Sequence, residues 1–96
     1  MELEQGGRVT LRLARVTDAA AEYGAELVTK DRRFEALARV SLPGGAVDFA
    51  HDGDAAPSWL VEVARTTLRA AHRTVTAGGS WPRRLSRWRG GPEGED

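Results

Sequence analysis

Apolar and polar side chains alternate in four successive segments of this chain, and this alternation constrains the fold more strongly than any other feature. The segments are residues 8–16, 22–29, 34–41 and 46–51. A two-residue period is typical of a β-strand with one buried face and one solvent-exposed face. Because only short polar or glycine-containing stretches separate the segments, we predict a four-stranded antiparallel β-meander.

The alternation assigns side chains to each face of the predicted sheet. The apolar face contains Val9, Leu11, Leu13, Tyr23, Ala25, Leu27, Phe34, Ala36, Ala38, Val40, Val47 and Phe49. The polar face contains Arg8, Arg12, Glu22, Glu26, Glu35 and Arg39. We expect opposite charges on neighbouring strands to help fix the register. Residues 42–45, LPGG, predict a type II turn in which Gly44 adopts a positive φ.

Residues 57–79 predict one long amphipathic helix that covers the apolar face of the sheet. Pro57 or Ser58 marks its start, and the pair Gly78 and Gly79 marks its end. One arc of this helix carries Trp59, Leu60, Val63, Ala64, Leu68, Ala71 and Val75. The opposite arc carries Glu62, Arg65, Arg69, His72, Arg73 and Thr76, so the helix has one apolar and one polar side.

The segment SWPRRLSRWRG, residues 80–90, predicts a short second helix. Ser80 is a suitable N-cap, and Pro82 is tolerated in a first helical turn. Trp81, Leu85 and Trp88 then fall on one helical stripe, which predicts that both tryptophans are buried. The alternative is an exposed aromatic platform on which single-stranded nucleic acid could stack.

The predicted fold class is therefore α+β, with a four-stranded antiparallel meander, one long helix packed on it and a short C-terminal helix that contains tryptophan. The chain has 96 residues, which is enough for one domain. We assign residues 1–7 to a flexible N-terminus, 8–89 to the domain, and 90–96 to a disordered, acidic, glycine-rich tail.

The composition argues against most kinds of catalytic and metal site. The chain contains no cysteine, which excludes disulfides, thiol nucleophiles and cysteine-ligated zinc. His51, Asp52 and Asp54 lie close together and could ligate a metal, but a turn leading into a helix N-terminus also accounts for the carboxylates. No nucleophile elbow or phosphate-binding glycine loop is present. We therefore predict a non-enzymatic protein without a cofactor or metal.

The sequence also predicts a protein that does not contact membranes. Its start, MELEQGG, lacks the basic and apolar regions of a secretory signal. No apolar run approaches the roughly 18–20 residues that span a bilayer. The expected location is the cytoplasm.

Charged residues are distributed unevenly along the chain, although its formal net charge at pH 7 is zero. Residues 63–92 contain seven arginines and no acidic residue, whereas all fourteen acidic residues lie elsewhere. The predicted binding surface comprises Arg65, Arg69, His72, Arg73, Arg83, Arg84, Arg87 and Arg89. The alternative is that these arginines form only a solvated face. Arg65, Arg69 and Arg73 are spaced four residues apart, and like charges at that spacing favour an anionic partner.

These features predict a small non-catalytic binding module. The first hypothesis is protein interaction or self-assembly, in which the basic helical surface recognises an acidic protein surface or a second copy of the chain, as in a homodimer. The alternative is sequence-nonspecific binding of RNA or DNA phosphates by the same arginines. A sequence pI of about 6.7 favours the first hypothesis, because nucleic-acid-binding domains are usually basic.

Overall fold

All four predicted strands form, and they pair as the predicted antiparallel meander. A computed structural model describes residues 6–89, without the side chain of Arg89. The elements in chain order are β1 (Gly7–Val16), β2 (Ala20–Thr29), β3 (Arg33–Ser41), β4 (Val47–Asp52), α1 (Ser58–Thr76) and β5 (Arg84–Arg89). The strand order across the sheet is β4-β3-β2-β1-β5, so β4 and β5 are its two edges.

One face of the sheet is buried under α1, as the alternation predicts. Val9, Tyr23, Leu27 and Val40 are fully buried on this face. From the helix, Leu60, Ala64, Leu68 and Ala71 are buried against them, together with Thr67. Trp59, Val63 and other partly buried side chains border this core.

The C-terminal segment is a fifth strand, and the predicted short helix is wrong. Strand β5 pairs antiparallel with β1, from Arg89 opposite Gly7 to Arg84 opposite Arg12. Without it, the backbone groups on one side of β1 would lack partners along a sheet edge. A helix would also place Arg83 and Arg87 at adjacent positions one turn apart, where like charges repel.

The two tryptophans of this segment have different environments, so the prediction that both are buried is only half right. Trp81 is half-buried, and its ring lies edge-on to Tyr23 with centroids 6.3 Å apart. Trp88 is 70% exposed, and its predicted burial is therefore wrong. The reason is the strand period, which places Trp88 on the opposite side of β5 from Leu85.

The described part of the chain begins just before β1 and ends with β5. Strand β1 begins at Gly7, where the backbone is buried and an added Cβ would lie 3.0 Å from Leu60 Cδ1. Residues 1–5 and the predicted tail at 90–96 lie outside the described part of the chain. The described residues include no helix with the length and apolar character needed to cross a bilayer.

Candidate functional site

Arg65, the first of the predicted helical arginines, holds the edge strand β4 against α1. Its Nη1 donates a hydrogen bond of 2.6 Å to the backbone oxygen of Val47. Its guanidinium lies 5.4 Å from the centre of the Phe49 ring, and its Nε lies 3.4 Å from Glu62 Oε1. Because only 33% of this side chain is exposed and its polar groups are engaged, Arg65 is a structural residue rather than a free ligand-binding cation.

His72 holds the loop between β3 and β4. Its Nε2 lies 2.9 Å from the backbone oxygen of Pro43, and since a carbonyl only accepts hydrogen bonds, Nε2 is the donor. The imidazole also leaves no room for a side chain at Gly45, where a Cβ would lie 2.6 Å from Nδ1. Gly45, with φ of 87°, is the residue with positive φ in this loop, and the prediction for Gly44 is wrong.

Arg69 and Arg73 are the exposed members of the helical group. Arg69 borders a groove of about 410 Å³ between α1 and the β3–β4 loop, which is also lined by Arg65 and Val47. Arg73 lies in the last turn of α1, where a cation is favoured by the helix dipole. Arg69 therefore lies on the side of the domain that contains β4.

Arg84, Arg87 and Arg89 belong to β5 at the opposite edge of the sheet, and Arg83 directly precedes this strand. Arg83, Arg84 and Arg87 are exposed, and no ion pair joins them to any residue between 6 and 89. The backbone of Arg89 pairs with Gly7. The eight predicted residues are thus divided between α1 and the C-terminal segment, which come together where the His72 ring lies 6.3 Å from the ring of Trp81.

One side of β5 has no strand partner among the described residues. The other side pairs with β1 along all six residues of the strand. Free strand edges present unpaired N–H and C=O groups, and proteins usually shield them. Here the edge also presents Trp88, an exposed aromatic ring that the fold does not use for its core.

Trp88 lies beside Arg8 on the outer face of the sheet, which is the face away from α1. In the β1–β5 register, Trp88 lies opposite Arg8, and Arg84 lies opposite Arg12, four residues further along each strand. Arg8 and Arg12 are exposed, and neither has an acidic partner in the described part of the chain. The β1–β5 side of the outer face therefore carries arginines without ion-pair partners among residues 6–89.

Charges on the rest of the outer face compensate one another. Glu22 contacts two arginines, with Arg39 at 3.0 Å and Arg15 at 3.4 Å. Arg33 similarly contacts Glu26 at 3.1 Å and Glu35 at 3.3 Å. The predicted cross-strand charge pairing therefore exists between β2 and β3 but does not extend to Arg8 and Arg12. Within residues 6–89, this contrast distinguishes the β1–β5 side, where Arg8, Arg12 and Arg84 form no ion pair, from the rest of the outer face.

A groove of about 460 Å³ lies between α1 and β5. It is lined by Trp59, Glu62, Val63, Thr66, Thr67, Arg87 and Trp88. The Thr67 hydroxyl already donates to the backbone oxygen of Val63 at 2.8 Å. The groove therefore offers the Trp59 ring, the aliphatic Val63 side chain, and the opposite charges of Glu62 and Arg87.

Asp54 and Tyr23 are titratable side chains whose partners lie within the described part of the chain. No three histidine, aspartate or glutamate side chains in this range lie together as a metal site would require. Asp54 is ion-paired with Arg32 at 2.8 Å. Burial raises the pKa of Tyr23 to about 12, but its hydroxyl donates to the backbone oxygen of Pro82 at 2.6 Å and serves the fold.

Sequence analysis missed several residues of the β5 region. The sequence alone predicts that Arg8 pairs with opposite charges on the polar face of the sheet. It also predicts that Trp59 and Trp88 belong to the core. The signal that could have identified the strand is the alternation within RLSRWR, where Arg84, Ser86 and Trp88 share one side. No known protein family, curated protein or solved structure matches this chain, so the geometry alone supports a function.

Proposed function

We propose that this chain is a non-catalytic interaction module that binds an extended, acidic segment of another protein along the free edge of β5. The observation that carries the proposal is Trp88, which is 70% exposed on an edge strand. An exposed tryptophan on a free strand edge is costly to keep without a partner, because such edges promote unwanted pairing. Tryptophan and arginine are also the residue types most enriched at binding hot spots.

Strand addition would supply both the affinity and the geometry of this interaction. The unpaired backbone groups of β5 can form a ladder with an extended segment, as in other cases of β-augmentation. Arg83, Arg84 and Arg87 lack acidic partners among the described residues and would attract carboxylates on that segment. The proposal thus keeps the acidic partner predicted from the sequence and moves its site from the helix to β5.

The helical arginines are less suitable as the binding surface. Arg65 and His72 are engaged with Val47 and Pro43, so moving them to a ligand would break contacts of the fold. Arg69 and Arg73 form no ion pair with any residue between 6 and 89, and Arg69 lines a groove beside β4 that does not include Trp88. They therefore provide a matched control of equal charge.

The test compares the effect of charge reversal on β5 with that of charge reversal on α1. The probe is a peptide of about seven residues, the length of a typical strand, in which glutamate alternates with valine. We expect the double variant Arg84→Glu and Arg87→Glu to lower its affinity by about tenfold or more in calorimetric titration. The control variant Arg69→Glu and Arg73→Glu should change it by less than about twofold. Equal losses in both variants would refute the assignment to β5.

A second candidate function is binding of single-stranded nucleic acid on the outer face. The observation that favours it is the position of Trp88 opposite Arg8, with Arg12 and Arg84 nearby. A base could stack on the indole, which is worth about 1–3 kcal/mol per base, while the arginines contact phosphates.

An oligodeoxythymidine probe separates this candidate from the first. If nucleic acid is the ligand, the probe should bind with a log–log salt slope of about −0.7 per phosphate neutralised, and Trp88→Ala should remove most of the affinity. If an acidic segment is the ligand, the oligonucleotide should bind no better than a peptide in which lysine replaces every glutamate.

A further inference from the structure

We infer that the groove between α1 and β5 receives a bulky apolar side chain of the bound segment, so that the preferred ligand alternates acidic with apolar residues. This inference rests on the proposed function, since it assumes that an extended segment pairs with β5. It adds a side-chain pattern to that function, and hence a rule for which acidic segments bind.

The alternation follows from the geometry of a strand added to β5. Successive side chains of such a segment point to opposite sides of the sheet. Those on the outer side would lie beside Arg84, while Arg8 and Arg12 lie one strand further away, because β5 separates the segment from β1. Those on the helix side would enter the groove that α1 forms with β5. One ligand therefore meets Arg84 on one side of the sheet and the Trp59 and Val63 side chains on the other.

The chemistry of the groove favours an apolar side chain over a charged one. Trp59 and Val63 are half-buried and present apolar surface. The Thr67 hydroxyl is already bonded, so it does not donate to a ligand. Glu62 and Arg87 also line the groove, and their charges are opposite. The groove therefore offers no net charge that would attract a carboxylate.

The size and composition of the groove favour an aromatic side chain in particular. Its volume of about 460 Å³ accommodates a bulky group. Its walls include the half-buried Trp59, and aromatic rings attract one another beyond the area they bury. Arg87 at the same groove can stack its guanidinium on an aromatic ring. Phenylalanine is thus a suitable probe.

The first experiment needs no protein variant. Two peptides of about seven residues are titrated into the full chain, both alternating glutamate with valine. One has phenylalanine at the central apolar position and the other has alanine. We expect the phenylalanine peptide to bind at least about tenfold more tightly. A third peptide with the phenylalanine composition but with glutamates grouped at its ends should bind no better than the alanine peptide.

A pair of variants locates the effect at the groove. Thr66 is exposed and lines the groove, so Thr66→Tyr places a ring at its rim without disturbing the core. Thr76, also exposed, lies at the end of α1 and does not line the groove. We expect Thr66→Tyr to reduce the preference for phenylalanine over alanine to less than about twofold, and Thr76→Tyr to preserve it.

The outcomes distinguish this inference from the proposed function. Equal affinity of the unmodified chain for the phenylalanine and alanine peptides would refute the groove and leave strand addition intact. Failure of every acidic peptide to bind would refute the proposed function as well. If the chain stays self-associated when it is saturated with the phenylalanine peptide, the occupant of the groove is a second copy, and the inference of a separate acidic segment is overturned.

Discussion

At the scale of single residues, Tyr23 connects the sheet to the segment that leads into β5. Its ring is fully buried, and its hydroxyl donates to the backbone oxygen of Pro82. Burial raises its pKa from 10.0 to about 12, so the unfolded chain loses the proton at a lower pH than the folded chain. Its contribution to stability is therefore complete below pH 10 and is lost as the pH rises to about 12.

Tyr23→Phe should separate the contribution of the hydrogen bond to Pro82 from that of the raised tyrosine pKa. At neutral pH, we expect it to lower the free energy of unfolding by about 1–3 kcal/mol, since Pro82 loses a buried partner. Between pH 10 and about 12, the unmodified chain should lose stability more steeply than the variant. Urea denaturation across this range measures both. Parallel pH profiles for the two proteins would contradict the assignment of the titration to Tyr23.

Arg65 provides a second residue-level prediction, because its contacts indicate a structural role. Arg65→Met removes the hydrogen bond to Val47 and the cation–π contact with Phe49, and should cost about 1–3 kcal/mol of stability. The exposed Arg69→Met should cost less than about 0.5 kcal/mol. Affinity for the alternating acidic peptide should stay unchanged in both. A loss of affinity in Arg65→Met without a loss of stability would restore the helical surface as the site.

At the scale of elements, sequence patterns predicted β1 to β4 and α1 because each pattern fits one period only. The predicted strand and helix ends lie within two residues of those observed. The segment around Trp81, Leu85 and Trp88 fits a helical stripe, while Arg84, Ser86 and Trp88 fit a strand. Local spacing cannot decide between these patterns. Whether the segment forms a helix or a strand depends on β1, which lies more than 60 residues earlier and would have an unpaired edge without β5. No local pattern in the segment reveals that edge.

The candidate site was predicted only in part for the same reason. Arg83, Arg84 and Arg87 were identified because arginines without nearby acids stand out in a sequence. Arg65 and His72 were identified on the same grounds, but their contacts with Val47 and Pro43 depend on tertiary packing. The exposure of Trp88 required the correct period for β5. Charge was therefore predictable from the sequence, whereas the role of each charge was not.

The tryptophans of the C-terminal segment test the fifth strand directly. Trp88→Ala should cost less than about 1 kcal/mol, because most of the indole is already exposed to solvent. Trp81→Ala should cost at least about 2 kcal/mol, since its ring packs against Tyr23 and lies 6.3 Å from His72. Chemical denaturation provides both values. Similar large losses for both variants would be the result expected of the buried helix, and would contradict the strand.

At the scale of the whole molecule, the two edges of the sheet carry opposite charge. Strand β5 presents Arg84 and Arg87, while Asp48 and Asp52 are exposed on β4. These aspartates have no ion-pair partner among the described residues. Each copy therefore carries a basic edge and an acidic edge of the same length, six residues. Contact between such unlike edges is heterologous, so it can continue from copy to copy rather than close into a symmetric dimer.

This polarity predicts weak, salt-sensitive self-association that competes with the acidic ligand. Raising the salt from about 0.01 M to about 1 M shortens the Debye length from about 30 Å to about 3 Å and screens exposed charges. In sedimentation velocity at low salt, the average mass should therefore rise with concentration, and it should return to the monomer value at high salt. The variant Arg84→Glu and Arg87→Glu should remain monomeric at both salt concentrations. The unmodified chain should also be monomeric at low salt when it is saturated with the alternating acidic peptide. A symmetric dimer that persists at high salt, or a monomer under every condition, would show that the charged edges do not recognise each other.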